Sequence, residues 1–182
     1  MYARTSWICY GILIFIRISA CFFYGYIHPD EFFQGGQELF YGSVVPWEFE
    51  SQHALRSIVP PLFMTKFPLW LASLLSWSDL TVDGFCVFIV PRLFMCLLSF
   101  LSFDLVIWKL KGTSIDVNGH SRVPSEILAL SSSWSFVIFG CRPFTNTLEG
   151  IVLMWLIAVV SVTKVSCRSA MNSYTIVLTV DA

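Results

Sequence analysis

Two adjacent carboxylates, Asp30 and Glu31, directly follow a long apolar stretch, and a histidine, His28, lies two residues before them. The low dielectric at the edge of a bilayer favours general-base chemistry by a carboxylate. The alternative is a plain helix start, in which Pro29 occupies the first turn and the acids complement the positive end of the helix dipole. The motif therefore indicates either a general base or a helix N-terminus beside a membrane.

A second polar motif, Arg-Pro-Phe-Thr-Asn-Thr-Leu-Glu, runs from Arg142 to Glu149. Alone it is typical of a helix–helix turn, with Thr145 or Asn146 as the N-cap and Arg142 paired with Glu149. If it lies beside the first motif, the planar guanidinium of Arg142 suits the binding of a phosphate.

The composition defines the class of protein that must position these motifs. The 182 residues are 56% hydrophobic and only 13% charged, with a net charge of −1. A soluble domain averages about 25% charged residues, so this chain is an integral membrane protein without a nucleic-acid footprint. The six cysteines show no CxxC or Cys/His spacing, so no disulfide framework and no metal site is predicted.

The apolar residues form segments that predict an all-α, polytopic helical bundle, a single membrane domain over 1–182. The segments cover about 7–27, 57–77, 85–108, 124–140 and 150–163. The loop 28–56 carries an amphipathic helix from Asp30 to Tyr41, which we expect to lie in the interface. Prolines interrupt 57–77, which either crosses the membrane or is re-entrant.

Arg17 lies inside the segment 7–27, and Arg92 and Asp104 lie inside the segment 85–108, so these three charges need partners. We expect Arg17 to face the protein interior or to snorkel, because a central charge in lipid is costly. Arg92 and Asp104 are twelve residues apart, about 18 Å along a helix, and cannot pair with each other. Asp104 is predicted to form a structural ion pair in the bundle, and for Arg92 structure and ligand binding are equally favoured.

Basic residues cluster near Arg4, at 109–122 and at 164–168, and the positive-inside rule places these clusters on the cytoplasmic side. The loop 28–56 and the turn 142–149 then face the opposite side together. This arrangement requires that 57–77 and 85–108 do not both cross fully.

An ordered set of motifs resembles the GPI (glycosylphosphatidylinositol) mannosyltransferases, a family of the multi-spanning GT-C glycosyltransferases. The motifs extend over about 24–150 and comprise His28–Gln34, Pro46–Phe49, Arg56–Pro61, Pro91–Leu93 and Arg142–Glu149. The likeness is strongest to members that add the fourth mannose of the anchor. It implies transfer of mannose from dolichyl-phosphate mannose to the third mannose of the GPI precursor, α1,2-linked with inversion, at the lumenal face of the endoplasmic reticulum membrane.

The resemblance also implies roles for individual residues, with no metal or other cofactor. Asp30 is expected to be the base, Glu31 to orient the acceptor or tune Asp30, and His28 to support them. Arg142 or Arg92 is expected near the donor phosphate, and further candidates for substrate contacts are Arg56, Asn146, Glu149 and Gln34. Lipid-linked donor and GPI precursor are the expected partners.

Two departures and two alternatives accompany this interpretation. Family members are several hundred residues long, so the chain is expected to be an N-terminal part that is inactive alone. Pro143 replaces the threonine usual in the second motif.

One alternative is a sibling transferase acting on the GPI precursor or on an N-glycan. The other is a non-enzymatic membrane subunit or transporter fragment, in which the acids would be caps or cation ligands.

Overall fold

The structure is a computed structural model that describes residues 2–25, 31, 46–50, 52, 56–75, 84–112, 114–115 and 121–180. Most of the loop 28–56 lies outside this part of the chain. The predicted positions of His28, Asp30 and Gln34, and the amphipathic helix expected from Asp30 to Tyr41, therefore fall on residues that are not described. Glu31 is described.

Helices dominate the described residues, as the composition predicts. They are α1 (Tyr2–Cys21), α2 (Val59–Leu75), α3 (Gly84–Lys111), α4 (Ser125–Ser132), α5 (Trp134–Phe139) and α6 (Thr145–Val180). Helix α2 consists of Val59–Pro61, a π-helical turn Leu62–Lys66 and Phe67–Leu75. A 3₁₀ turn, Trp47–Phe49, precedes α2. The strands β1 (Ser114–Ile115) and β2 (Ser121–Arg122) form one antiparallel pair in the connection after α3. The all-α fold class is confirmed.

In the described part of the chain, three helices are long and apolar enough to cross a membrane. They are Arg4–Cys21 in α1, Gly84–Lys111 in α3 and Thr145–Lys164 in α6. Helix α2 has segments of 3, 5 and 9 residues. At 1.5 Å per residue, these span about 25 Å, less than the roughly 30 Å of the hydrocarbon core.

The apolar segment predicted at 124–140 is two short helices rather than one. The break is at Ser133, whose ψ of 122° is extended and ends the helical path between α4 and α5. Serine favours helix ends because its hydroxyl competes for backbone hydrogen bonds, and Ser131, Ser132 and Ser133 are consecutive. The chain therefore turns within this apolar segment.

Helix α1 packs against α3, α4, α5 and β2, while α6 packs against the second half of α3. One buried cluster joins α1, α3 and the end of α5 through Ala20, Cys21, Cys96, Val137 and Cys141. A second joins α2, α3 and α6 through Met64, Met95 and Ile151. Large apolar side chains on the outer faces of α1 and α6 stay exposed, among them Ile12, Phe15, Val152 and Leu156, as expected for helices in lipid.

The bundle has two chemically different ends. At one end Trp7 of α1 packs against Trp108 of α3, with ring centroids 5.2 Å apart and an angle of 42° between the ring planes. The indole Nε1 of Trp7 also donates to the carbonyl of Ser121 at 3.0 Å. Lys109, Lys111 and Arg122 lie at this end. The other end, where α1 terminates and α3 begins, holds Glu31 and Arg142.

The charges predicted to need partners are buried in the bundle. Arg17, 1% exposed, lies in the protein interior and pairs with Asp104, with Nη1 and Oδ2 2.7 Å apart. The ion pair expected for Asp104 is thereby confirmed, and of the two alternatives for Arg17 the structure shows the interior position. Arg92 has a different partner, Glu31.

Candidate functional site

Glu31 is completely buried between two arginines from distant parts of the chain. Arg142 Nη1 donates to both oxygens of Glu31, at 2.9 Å to Oε1 and 2.7 Å to Oε2. Arg92 Nη2 donates to Oε1 as well. The three side chains are 0–2% exposed. We call Glu31, Arg92 and Arg142 the carboxylate–diarginine cluster.

Backbone carbonyls at the end of α1 hold the same two guanidinium groups. Arg92 donates from Nη1 to Phe23 O at 2.8 Å and from Nη2 to Gly25 O at 3.0 Å. Arg142 Nη1 donates to that same Gly25 carbonyl at 3.0 Å. The carbonyl of Gly25 therefore joins the two arginines independently of Glu31.

Gly25 is a site residue that sequence reasoning does not identify. Its φ of +103° lies in the region that side-chain-bearing residues avoid, so glycine permits the turn that directs its carbonyl at the arginines. A glycine shortly after the end of a helix is a known signal for such a turn. That signal alone does not indicate which cations the carbonyl receives.

Local structure fixes each arginine in place. Arg92 follows Pro91 inside α3, and its guanidinium carbon lies 3.5 Å from the centre of the Phe88 ring, one turn earlier. Arg142 lies in the tight turn between α5 and α6, closed by a hydrogen bond from Phe144 N to the Arg142 carbonyl at 2.8 Å. Pro143, the departure from the expected pattern, is buried within this turn.

The structure separates the remaining predicted residues from the cluster or leaves them undescribed. Arg56 pairs through Nε with Glu48 at 2.7 Å, and its side chain is 41% exposed. Asn146 and Glu149 lie in the first turns of α6 with exposed side chains. The predicted alternative, a pair between Arg142 and Glu149, gives way to the pair between Arg142 and Glu31. His28, Asp30 and Gln34 lie outside the described residues.

A cavity of about 690 Å³ lies beside the turn that carries Arg142. Its wall is mostly aromatic, with four phenylalanines from α3, α5 and the turn before α6, and Asn146, Thr147 and two serines supply polar groups. Asn146 therefore lines a largely apolar cavity.

The geometry determines what the cluster can do. Both oxygens of Glu31 accept hydrogen bonds from guanidinium groups, so this carboxylate is placed to hold cations rather than to take a proton from a substrate. The Nε of Arg142 is buried and has no hydrogen-bond partner in the described part of the chain. Two adjacent guanidinium groups are the arrangement that proteins use to bind phosphate. Within the described ranges, no group of three or more His, Cys, Asp or Glu side chains converges as a metal site.

These features define a multi-spanning α-helical membrane protein with a paired-arginine site at one end of its bundle. A sequence profile described as the Alg9-like mannosyltransferase family matches residues 7–182. The chain therefore belongs to that family, which confirms the resemblance carried by its motifs.

Individual relatives support the same assignment. The chain is similar to human GPI alpha-1,2-mannosyltransferase 4, with 32% identity over 173 residues, covering 88% of this chain and 28% of the human protein. It is 34% identical over 152 residues to GPI mannosyltransferase 4 of Drosophila melanogaster, covering 75% of this chain and 20% of the fly protein. The Schizosaccharomyces pombe protein of that name is 33% identical over 153 residues, which cover 81% and 27%.

The chain spans between a fifth and three tenths of the length of these curated relatives. No solved structure matches it.

Proposed function

We propose that the complete protein is a GPI mannosyltransferase of the endoplasmic reticulum membrane. It transfers mannose from dolichyl-phosphate mannose to the third mannose of the GPI precursor through an α1,2 bond. The observation that carries this proposal is the carboxylate–diarginine cluster, because it brings together Glu31 of the first motif and Arg142 of the second. The printed names of the relatives, GPI alpha-1,2-mannosyltransferase 4 among them, support the substrate and the linkage.

The reaction is a single inverting displacement. The acceptor hydroxyl oxygen attacks the anomeric carbon of the donor mannose, a new glycosidic bond forms, and the bond to the phosphate oxygen breaks. Asp30 takes the proton from the attacking hydroxyl, and dolichyl phosphate leaves with the electron pair. The transition state has oxocarbenium character, as in glycosidases, and one positioned carboxylate supplies the general base.

Arg92 and Arg142 stabilise the leaving phosphate. Negative charge increases on that group as the glycosidic bond breaks, and preorganised guanidinium donors in a dry site stabilise such charge more effectively than water does. Since the leaving group is already a phosphate, no metal and no other cofactor is required by this mechanism.

Glu31 is a positioning residue in this scheme, and Asp30 is the base. Glu31 is committed to the two arginines, and its neighbour in sequence is the carboxylate that remains for proton transfer. His28 supports Asp30, while Gln34, Asn146 and Glu149 contribute substrate contacts. Arg56, held by Glu48, supplies a further cation in the same loop.

Asp30→Asn in the complete protein tests the proposal. Membranes that contain the protein are supplied with labelled dolichyl-phosphate mannose and a GPI precursor bearing three mannoses. We expect the wild type to form the four-mannose product, sensitive to an α1,2-specific mannosidase, and Asp30→Asn to form none while inserting normally. Glu50→Gln, a change to an exposed carboxylate of the same loop, is the matched control and is expected to retain activity. Turnover by Asp30→Asn at the wild-type rate would contradict the base assignment, and a wild type without product would contradict the function.

A further inference from the structure

We infer that the buried pair Arg17–Asp104 positions the end of α1 that holds the two site arginines, and that both are therefore positioning residues for mannose transfer. The inference rests on the proposed function for the reaction, and on the geometry for the positioning.

Three side-chain hydrogen bonds surround the pair, while Asp104 Oδ1 is buried and has no hydrogen-bond partner in the described part of the chain. Arg17 Nη1 donates to Asp104 Oδ2 at 2.7 Å, and Nη2 donates to Ser99 Oγ at 2.8 Å. Tyr10 OH donates to the same Asp104 oxygen at 2.8 Å. Helix α1 thus contacts α3 through two side chains two turns apart, and both converge on one carboxylate.

Aromatic rings enclose the guanidinium group from α3 and α5. The Cζ atom of Arg17 lies 3.9 Å from the centre of the Phe100 ring and 4.4 Å from that of Phe136. Phe100 and Asp104 are the first and last residues of a π-helical turn in α3. Such turns widen the helix and occur often at functional sites, and this one supplies both a ring and a carboxylate to Arg17. These contacts favour the observed orientation of α1.

The interface between α1 and α3 contains two polar layers. The deep layer comprises Tyr10, Arg17, Ser99 and Asp104. The outer layer is the candidate site itself. Arg92, seven residues before Ser99 on α3, donates to the carbonyls of Phe23 and Gly25 after α1. At 1.5 Å per residue, the two layers are about 10 Å apart. Cys21 lies between them, with Sγ 3.7 Å from the Arg17 carbonyl and 3.8 Å from the Arg92 carbonyl.

The reciprocal arrangement links the two layers. In the deep layer an arginine of α1 binds acceptors on α3, and in the outer layer an arginine of α3 binds acceptors at the end of α1. A rotation or axial shift of α1 that breaks the first set moves the carbonyls of the second. Apolar packing in lipid is weakly directional, whereas hydrogen bonds are strongly so. The deep layer therefore sets the register on which the placement of Arg92 and Arg142 depends.

The decisive variant replaces both members of the pair by apolar residues, Arg17→Met with Asp104→Leu. Apolar replacement of a whole buried ion pair is commonly compatible with folding, unlike removal of one partner. We expect this double variant to accumulate in membranes like the wild type. We also expect its kcat to fall about 10–100-fold with the KM for the acceptor unchanged, because small misplacements of catalytic groups carry penalties of this size. Arg17→Lys retains the cation opposite Asp104 but loses the Nη2 contact with Ser99, so its kcat is expected to lie between those of the double variant and the wild type.

A second measurement tests the alignment of α1 against α3 by disulfide cross-linking and does not depend on activity. Cys21 of α1 and Cys96 of α3 lie in one buried cluster. With the chain's other cysteines replaced by alanine and a protease site inserted at 76–83, oxidation by copper phenanthroline is expected to cross-link the two fragments. The double variant should lose this cross-link.

A double variant with wild-type kcat and wild-type cross-linking would overturn the inference. If the double variant does not accumulate, Ser99→Ala decides, since it deletes only the acceptor of Arg17 Nη2 and its own hydrogen bond to Cys96 O. Unchanged kcat and cross-linking in Ser99→Ala would again overturn the inference. If the wild type itself transfers no mannose, the proposed function fails, and the cross-link alone then decides whether the pair sets the register.

Discussion

Arg142 and Glu31 are separated by 111 residues in the chain, yet Arg142 Nη1 lies 2.7 Å from Glu31 Oε2, and both side chains are buried. This contact places the first acidic motif and the arginine turn at the same end of the bundle. It gives Glu31 a defined task, which is to hold two guanidinium groups together. Four predictions follow from this contact and from the surroundings of Arg142.

Glu31→Gln is expected to destabilise the protein strongly. The change removes the carboxylate charge between two buried guanidinium groups, and breaking a buried ion pair costs about 3–5 kcal/mol. Thermal unfolding of the purified protein in detergent measures the effect. Glu126→Gln is the matched control, because Glu126 pairs with Lys111 on the exposed surface, where water screens the pair and its contribution to stability is small. Equal losses of stability in the two variants would contradict the role of Glu31.

Much of the fold follows from the sequence. The apolar content predicts the helical membrane class, and the positions of Arg92 and Asp104 along one helix show that they cannot pair with each other. The cost of a charge in lipid also predicts that Arg17 either faces the interior or snorkels, and the structure shows the interior position. These are local properties, set by helix geometry and by the solvent around each segment.

The identity of the partners does not follow from the sequence. Arg17 meets Asp104, and Arg142 meets Glu31 rather than the nearby Glu149, because helices far apart in the chain pack together. Periodicity gives the face of a helix but not the neighbour that covers it. The break at Ser133 has a local signal in three consecutive serines, but the apolar residues around it conceal the turn.

Gly140→Ala is expected to impair the site through the backbone. A Cβ atom at Gly140 would lie 2.5 Å from the carbonyl oxygen of Phe136, so the turn leading to Arg142 must shift. Overpacking of this kind typically costs about 1–3 kcal/mol. Gly150→Ala serves as the control, since its Cβ would lie at an ordinary 3.5 Å from Phe103 Cζ.

The two glycine variants are compared by thermal unfolding and by mannose transfer. We expect Gly140→Ala to be lower in both and Gly150→Ala to resemble the wild type in stability. If Gly140→Ala and Gly150→Ala behave alike in both measurements, the turn does not need a glycine next to the Phe136 carbonyl.

The two ends of the bundle are expected to face opposite sides of the membrane. Glu50→Cys and Lys111→Cys, each in a protein whose other cysteines are replaced, place single reactive thiols at exposed positions. In sealed microsomes, an impermeant maleimide should label Lys111→Cys directly and Glu50→Cys only after permeabilisation, as the positive-inside rule requires. Labelling of both thiols in sealed vesicles would contradict this orientation.

The most direct test of the central claim, that the paired arginines hold the donor phosphate, is the rate of mannose transfer by Arg142→Gln. The complete purified protein is given dolichyl-phosphate mannose and the three-mannose precursor, and rates are normalised to the folded fraction measured by gel filtration. Loss of one preorganised donor to developing negative charge is expected to lower kcat about 100–1,000-fold. Lys111→Gln, at the opposite end of the bundle, should retain the wild-type rate. Transfer by Arg142→Gln at the wild-type rate would contradict the account.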